Sequence, residues 1–185
     1  MIELLKLYFV QTGFGWVVLG AMVVVTVSCL GSAKGIWIAS SQAAGVLSEK
    51  PELFGKMLVL MALPGTQGFY GFICAIMIAL RTGVINGNIN ISPAVGGAIL
   101  LIAICTSIVE YITAIVQAKA ATAAINITGK QPEEGGRAIL IPALVETYAV
   151  IALLISILLI TWLTKEGGLS FTPPTHALPG IEQSQ

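Results

Sequence analysis

Glu146 lies in the middle of the last long apolar segment of the chain, and between Arg137 and Leu163 no other acid occurs. Placing Asp, Lys or Arg at the centre of a membrane helix costs about 2.5–3.5 kcal/mol on insertion scales, so a carboxylate there implies a function. It can take up a proton, hold a cation, or hydrogen-bond two helices together. Neighbouring residue types narrow the chemistry. Leu63, Thr66, Gln67 and Tyr70 recur at i, i+3, i+4 and i+7, one stripe of the second apolar segment. Gln67 follows Lys56 by 11 residues and Glu146 follows Arg137 by 9, which puts both at similar depth. Gln117, ten residues before Ile127, reaches that level from the opposite chain direction. A hydroxyl, two amide oxygens and a carboxylate would then share one layer of low dielectric. A proton needs only the carboxylate, whereas a dehydrated Na+ needs several hard oxygens. Plain interhelical hydrogen bonding, worth about 0.6 kcal/mol per pair, is the alternative for the polar stripe. Pro64 removes a backbone donor, frees the carbonyl of Leu60 and loosens the helix around Leu63. Broken helical hydrogen bonding at a midplane site is one way to present carbonyl oxygens to cations.

The elements that must position these groups are membrane helices. Apolar residues make up 56% of the 185 residues and charged residues 10%, where ordinary soluble chains carry about 25% charge; mean hydropathy is +0.93. Four apolar runs each reach the ~20 residues that a bilayer crossing needs. No alternating barrel pattern occurs, so the expected fold class is an all-α membrane protein. The first 30 residues resemble a signal peptide ending near Cys29, but Glu3 stands beside Lys6 and the apolar pattern continues to Leu47, which favours a retained helix. Cys29, Cys74 and Cys105 lie inside expected helices at no metal-like spacing and read as packing residues. Zero net charge and the lack of a basic cluster give no sign of a nucleic-acid partner.

In chain order, residues 1–12 form a lead-in and 13–80 a first helical hairpin. An external loop covers 81–91, a second hairpin 92–163, and a tail 164–185 that includes Pro173, Pro174 and His176. Lys34, Lys50, Lys56, Lys119, Lys130 and Arg137 cluster towards the turns within the hairpins, against Lys6, Arg81 and Lys165 at the other side. By the positive-inside rule the two turns are cytoplasmic and both termini lie outside.

The hairpins read as tandem copies. Lys50-Pro51-Glu52 matches Gln131-Pro132-Glu133, Gly55-Lys56 matches Gly136-Arg137, and Ala62-Leu63 matches Ala143-Leu144, all at an offset of 81. Upstream, Ala33-Lys34 matches Ala118-Lys119 at an offset of 85. The extra four residues are close to one helical turn, so the face is little rotated. Two crossings per unit make these parallel repeats. In this alignment Gly65 stands where the second half has Glu146, so one acid serves the pair.

Four stretches together carry a family resemblance: Gly31-Ser32-Ala33-Lys34-Gly35, Leu63-Pro64-Gly65-Thr66-Gln67-Gly68, Gln117-Ala118-Lys119 and Val145-Glu146-Thr147-Tyr148-Ala149. The chain resembles the four-helix proteolipid (c or K subunit) of V-type ATPases over about residues 13–163, and in particular the bacterial Na+-transporting branch. That resemblance implies an ion held by the Leu63 carbonyl and by the side chains of Thr66, Gln67, Gln117 and Glu146, with Tyr70 hydrogen-bonded to the glutamate. It also implies a ring of identical subunits surrounded by lipid, helices one and three inside, in a bacterial plasma membrane. A stator subunit would present an arginine to Glu146. Central-stalk subunits would dock at the cytoplasmic turns. ATP chemistry would belong to other subunits, since no phosphate-binding loop occurs here, and the chain itself would not be an enzyme. Gly31/Gly35 and Ala114/Ala118 are small-xxx-small pairs that suit an inner ring. Two other readings compete: the same ring carrying H+, or a small proton-coupled four-helix exporter.

Glu110 departs from the pattern. It precedes Gln117 by seven residues, on roughly the same helical face. Three roles fit it: a protonated packing residue, a charge facing the ring's interior, or part of an exit route.

Overall fold

The computed structural model describes residues 1–165. Four helices long and apolar enough to cross a membrane run alternately up and down: α1 (Phe14–Glu49), α2 (Pro51–Arg81), α3 (Pro93–Lys130) and α4 (Pro132–Leu163). No strand occurs among the described residues. The chain is a multi-pass membrane protein made of two tandem helical hairpins, as the sequence predicts. From residue 166 onward the expected tail, with His176, falls outside the described residues. α1 and α3 contain 36 and 38 residues; at 1.5 Å per residue each is far longer than the ~30 Å hydrocarbon layer and must project beyond it.

α1 and α3 form the most extensive contact in the molecule. They run parallel, because Gly20 meets Leu100, Gly31 meets Tyr111 and Gly35 meets Ala114 in rising order. A Cβ on Gly31 would stand 2.7 Å from the Cα of Tyr111, and one on Gly35 2.9 Å from the Ala114 carbonyl oxygen. Backbone cannot move aside as a flexible side chain can, so these two glycines set the separation of the helices. The approach leaves a buried face of α1 that is mostly small: Gly20, Ser28, Gly31, Ser32, Gly35, Ala39 and Ala43.

α2 and α4 are broken by proline. α2 consists of regular helix over Phe54–Ala62, one 3-10 turn over Leu63–Gly65, and regular helix over Thr66–Arg81. Pro64 cannot donate to the carbonyl four residues earlier, and the chain tightens there. In the first turn of the helix that resumes at Thr66, the Gly68 N–H donates to the hydroxyl of Ser32 on α1 at 2.7 Å. α4 is interrupted at Ile139, between Gly135–Ala138 and Leu140–Leu163. Pro142 lacks the donor that would reach the Ala138 carbonyl. The sequence reading treats the fourth helix as continuous; this interruption is an addition to it.

Cross-links between hairpins lie at the turn end. The Lys50 ammonium donates to the Gly129 carbonyl at 2.6 Å and the Lys56 ammonium to the Pro132 carbonyl at 2.6 Å. At the opposite end, the Gly13 N–H donates to the Ile91 carbonyl at 2.6 Å, and Gly83 and Gly87 take left-handed backbone angles of φ 71° and 80° in the connecting loop. Only Cys74 among the three cysteines is buried; Cys29 and Cys105 are exposed on the bundle's outer surface rather than packed within it, which corrects the sequence reading.

Candidate functional site

The site is a chain of polar side chains crossing three helices. The Gln67 amide on α2 donates to the Gln117 Oε1 on α3 at 2.6 Å. The Gln117 amide donates in turn to Glu146 Oε2 on α4 at 2.5 Å and to the Pro142 carbonyl at 3.2 Å. The Tyr70 hydroxyl donates to the other carboxylate oxygen, Oε1 of Glu146. Both glutamines are fully buried at 0% exposure, while Glu146 and Tyr70 are half-buried. The carboxylate therefore stands at the wall of the bundle, its inner side held by three helices and its outer side open. Leu144 and Tyr148 flank it on α4 and are exposed.

Local sequence explains how the groups meet. The tight turn at Leu63–Gly65 sets the orientation of the helix that begins at Thr66, and Thr66, Gln67 and Tyr70 follow within its first turns. The Thr66 hydroxyl donates to the Leu63 carbonyl at 3.0 Å, so these two oxygens form a pair beside the amides without touching Glu146. Gly65 packs by Ile36 of α1, and the buried ring of Pro64 sits against Gly35. Of the residues predicted from sequence, Gln67, Gln117, Tyr70 and Glu146 are thus brought into one network. Leu63 and Thr66 adjoin it, and Pro64 and Gly65 shape the backbone under it.

One acceptor in this network is unused. Gln67 Oε1 is buried and has no hydrogen-bond partner among the described residues. Leaving a buried acceptor unsatisfied costs about 1–3 kcal/mol, and such a group beside a carboxylate is an oxygen available to a ligand. The set on hand consists of carbonyl, hydroxyl, amide and carboxylate oxygens. Hard cations take such ligands, whereas imidazole and thiolate suit transition metals. Among the described residues no cluster of three or more His, Cys, Asp or Glu could hold a metal ion. Pro142 is a contributor that sequence reasoning missed. Its signal was available, since it lies four residues before Glu146 in a helix with no other proline after Arg137.

Two proline-broken apolar hairpins, with a half-buried carboxylate held by side chains from two neighbouring helices, define the class of helical-hairpin membrane proteolipids. Comparison with known families matches residues 19–78 and again 95–159 to the C subunit of ATP synthase, once in each hairpin. The chain belongs to the family of the ATP synthase C subunit. It is 38% identical over 141 residues to the V-type sodium ATPase subunit K of Enterococcus hirae, covering 76% of this chain and 87% of that protein. It is 33% identical over 146 residues to the A-type ATP synthase subunit K of Methanocaldococcus jannaschii, covering 79% of this chain and 62% of that one. Membership of this family sets aside the exporter reading.

Proposed function

We propose that the chain is the ion-carrying subunit of a rotor ring in a V-type ATPase or ATP synthase, and that its cargo is Na+. The observation that carries the reading is the Gln67–Gln117–Glu146 relay across three helices with a spare amide oxygen at its end. Modest amide rotations would direct Gln67 Oε1 and Gln117 Oε1 towards an ion beside Glu146. The Leu63 carbonyl and Thr66 hydroxyl would complete a set of hard oxygens. Tyr70 would hold the carboxylate in place by its second oxygen. Similarity to a subunit named for a sodium ATPase supports Na+ over H+.

The mechanism follows from charge. With Na+ bound, Glu146 is neutralised and its open side can face lipid as the ring turns. Emptied, it is a bare carboxylate at hydrocarbon depth, where a charge is costly unless paired. A cationic side chain on a stator subunit, an arginine in this reading, would be the partner that makes the empty state tolerable. Moving one elementary charge across 100 mV exchanges about 2.3 kcal/mol, so ion passage and rotation become coupled. The chain itself would be non-catalytic. Its hairpin turns would face the cytoplasm and dock the central stalk, in a bacterial plasma membrane.

Labelling of Glu146 by a hydrophobic carbodiimide tests the cargo. The reagent attacks the protonated carboxyl, so Na+ should slow labelling in proportion to occupancy at neutral pH. Labelling indifferent to Na+ would replace Na+ by H+ as cargo of the same site.

A further inference from the structure

The ion site leaves a second buried carboxyl unexplained. Glu110 on α3 has 0% exposure and neither of its oxygens has a hydrogen-bond partner among the described residues. It faces the inside of a single bundle, which removes the possibility of a charge on an exposed inner-ring surface. One other side chain among the described residues is fully buried with an unpartnered hydroxyl: Ser28 on α1. Register places the two in the same layer. Gly31 lies against Tyr111, so Ser28, three residues earlier on a parallel helix, is level with residues 107–108 of α3. Helical side chains slant towards the helix N-terminus, which carries the Glu110 carboxyl from its own Cα towards that same level. On α2, Gly71 presses against Ser28, and buried Cys74 lies one turn further along.

We propose that Glu110 and Ser28 form a second, proton-binding site within each bundle, the Glu110 carboxylic acid sharing its hydrogen with the Ser28 hydroxyl directly or through one buried water. Two orphaned polar groups in one layer satisfy each other only if one supplies a hydrogen and the other an oxygen. The ligand set is too poor for a dehydrated cation. Besides the carboxyl and Ser28 there are the Ser107 hydroxyl, which donates to the Ile104 carbonyl, and Thr106, paired with Ser156 at 2.5 Å. No Asn or Gln of α1 or α3 lies within a turn of Ser28 or Glu110, where the Glu146 network has two amides. Among the described residues no positive charge faces Glu110. The groups within electrostatic reach are Tyr70 and Cys74 from α2 and Glu146 from α4, while Lys34 on α1 is exposed. An ionised carboxylate so placed would be a buried charge without a partner, costly in any protein interior. A retained proton keeps the layer beside the Glu146 network neutral, so one cation balances one carboxylate per chain.

Infrared spectroscopy of the purified assembly at saturating Na+, with the bound Na+ counted by radioisotope, tests this. Wild type should show the C=O band of a protonated carboxyl and bind one Na+ per chain. Glu110→Gln, which keeps shape and hydrogen-bonding capacity, should remove the band, and Ser28→Ala should shift it. Absence of the band together with two Na+ per chain overturns the proposal in favour of a second cation site, and that count needs no variant. The proposal rests on the sodium reading only for the count of one. A proton-carrying Glu146 would add a component that Glu146→Gln removes and Glu110→Gln leaves, so either reading can fail alone. A spectrum in which Glu110→Gln removes no component also overturns the assignment.

Discussion

The two hairpins share an architecture and use it for opposite ends. At the offset of the repeat, Ser32 in α1 stands where α3 has Gln117, and Gly65 in α2 where α4 has Glu146. In the first hairpin the polar residue at this position is spent on the backbone, the Ser32 hydroxyl accepting from Gly68 N–H. In the second, the longer Gln117 reaches past the backbone to a carboxylate and to the Pro142 carbonyl. The same repeat position is a structural tie in one copy and part of the Glu146 hydrogen-bond network in the other. Small residues let the first hairpin close tightly, as at Gly71 against Ser28, and its Gln67 and Tyr70 are lent across to the second. Without an acid of its own at the repeat position, the first hairpin serves as a supporting wall.

Substitutions can break that contrast. The largest effect is expected from Glu146→Gln, which should abolish ion transport while the ring still assembles; transport assays beside native gels would separate the two. Gln117→Leu comes next. It strips the relay of its centre and should weaken Na+ affinity by about tenfold to hundredfold, the range seen when supporting groups of metal sites are removed, measured as Na+ protection against carbodiimide. Ser32→Ala is the matching change in the first hairpin. It should leave Na+ affinity within about twofold but cost about 1–3 kcal/mol of stability by orphaning the Gly68 N–H, read as a lower detergent-unfolding midpoint. An affinity loss equal to that of Gln117→Leu would erase the distinction between the hairpins. Tyr70→Phe should fall below Gln117→Leu. It removes one hydrogen bond to a carboxylate that bound Na+ already neutralises, worth about 0.5–1.5 kcal/mol, and should reduce Na+ protection by about tenfold or less while transport persists.

Length and hydropathy made the four helices and the hairpin order legible, because few other structures hide so many apolar residues. Depth-counting from Lys56 and Arg137 also brought Gln67 and Glu146 to one level, since a helix advances by a constant rise. Rotation about the helix axis was harder to read. α3 is apolar on nearly every side, so periodicity gives no inward direction, and the burial of Glu110 could not be told from exposure to a ring interior. In the sequence, Ser32 stands out only as a member of the stretch Gly31–Gly35. Its bond to Gly68 depends on a first-turn donor of the helix that begins at Thr66, on another segment of the chain. Likewise, the Pro142 carbonyl joins the network only by accepting from Gln117 of α3, a partner that the sequence of α4 cannot name until the neighbouring helix is placed.

The lysine ties at the turns bear on mechanics. Lys50 and Lys56 fasten each hairpin bend to its companion through carbonyls of Gly129 and Pro132. A push on either bend is thereby shared by both, and the four helices respond as one stiff tooth rather than as two hinged prongs. With a single cation-binding carboxylate per tooth, a wheel built from such pieces would take coarse strides: fewer ions for each revolution, and a larger angle for each ion.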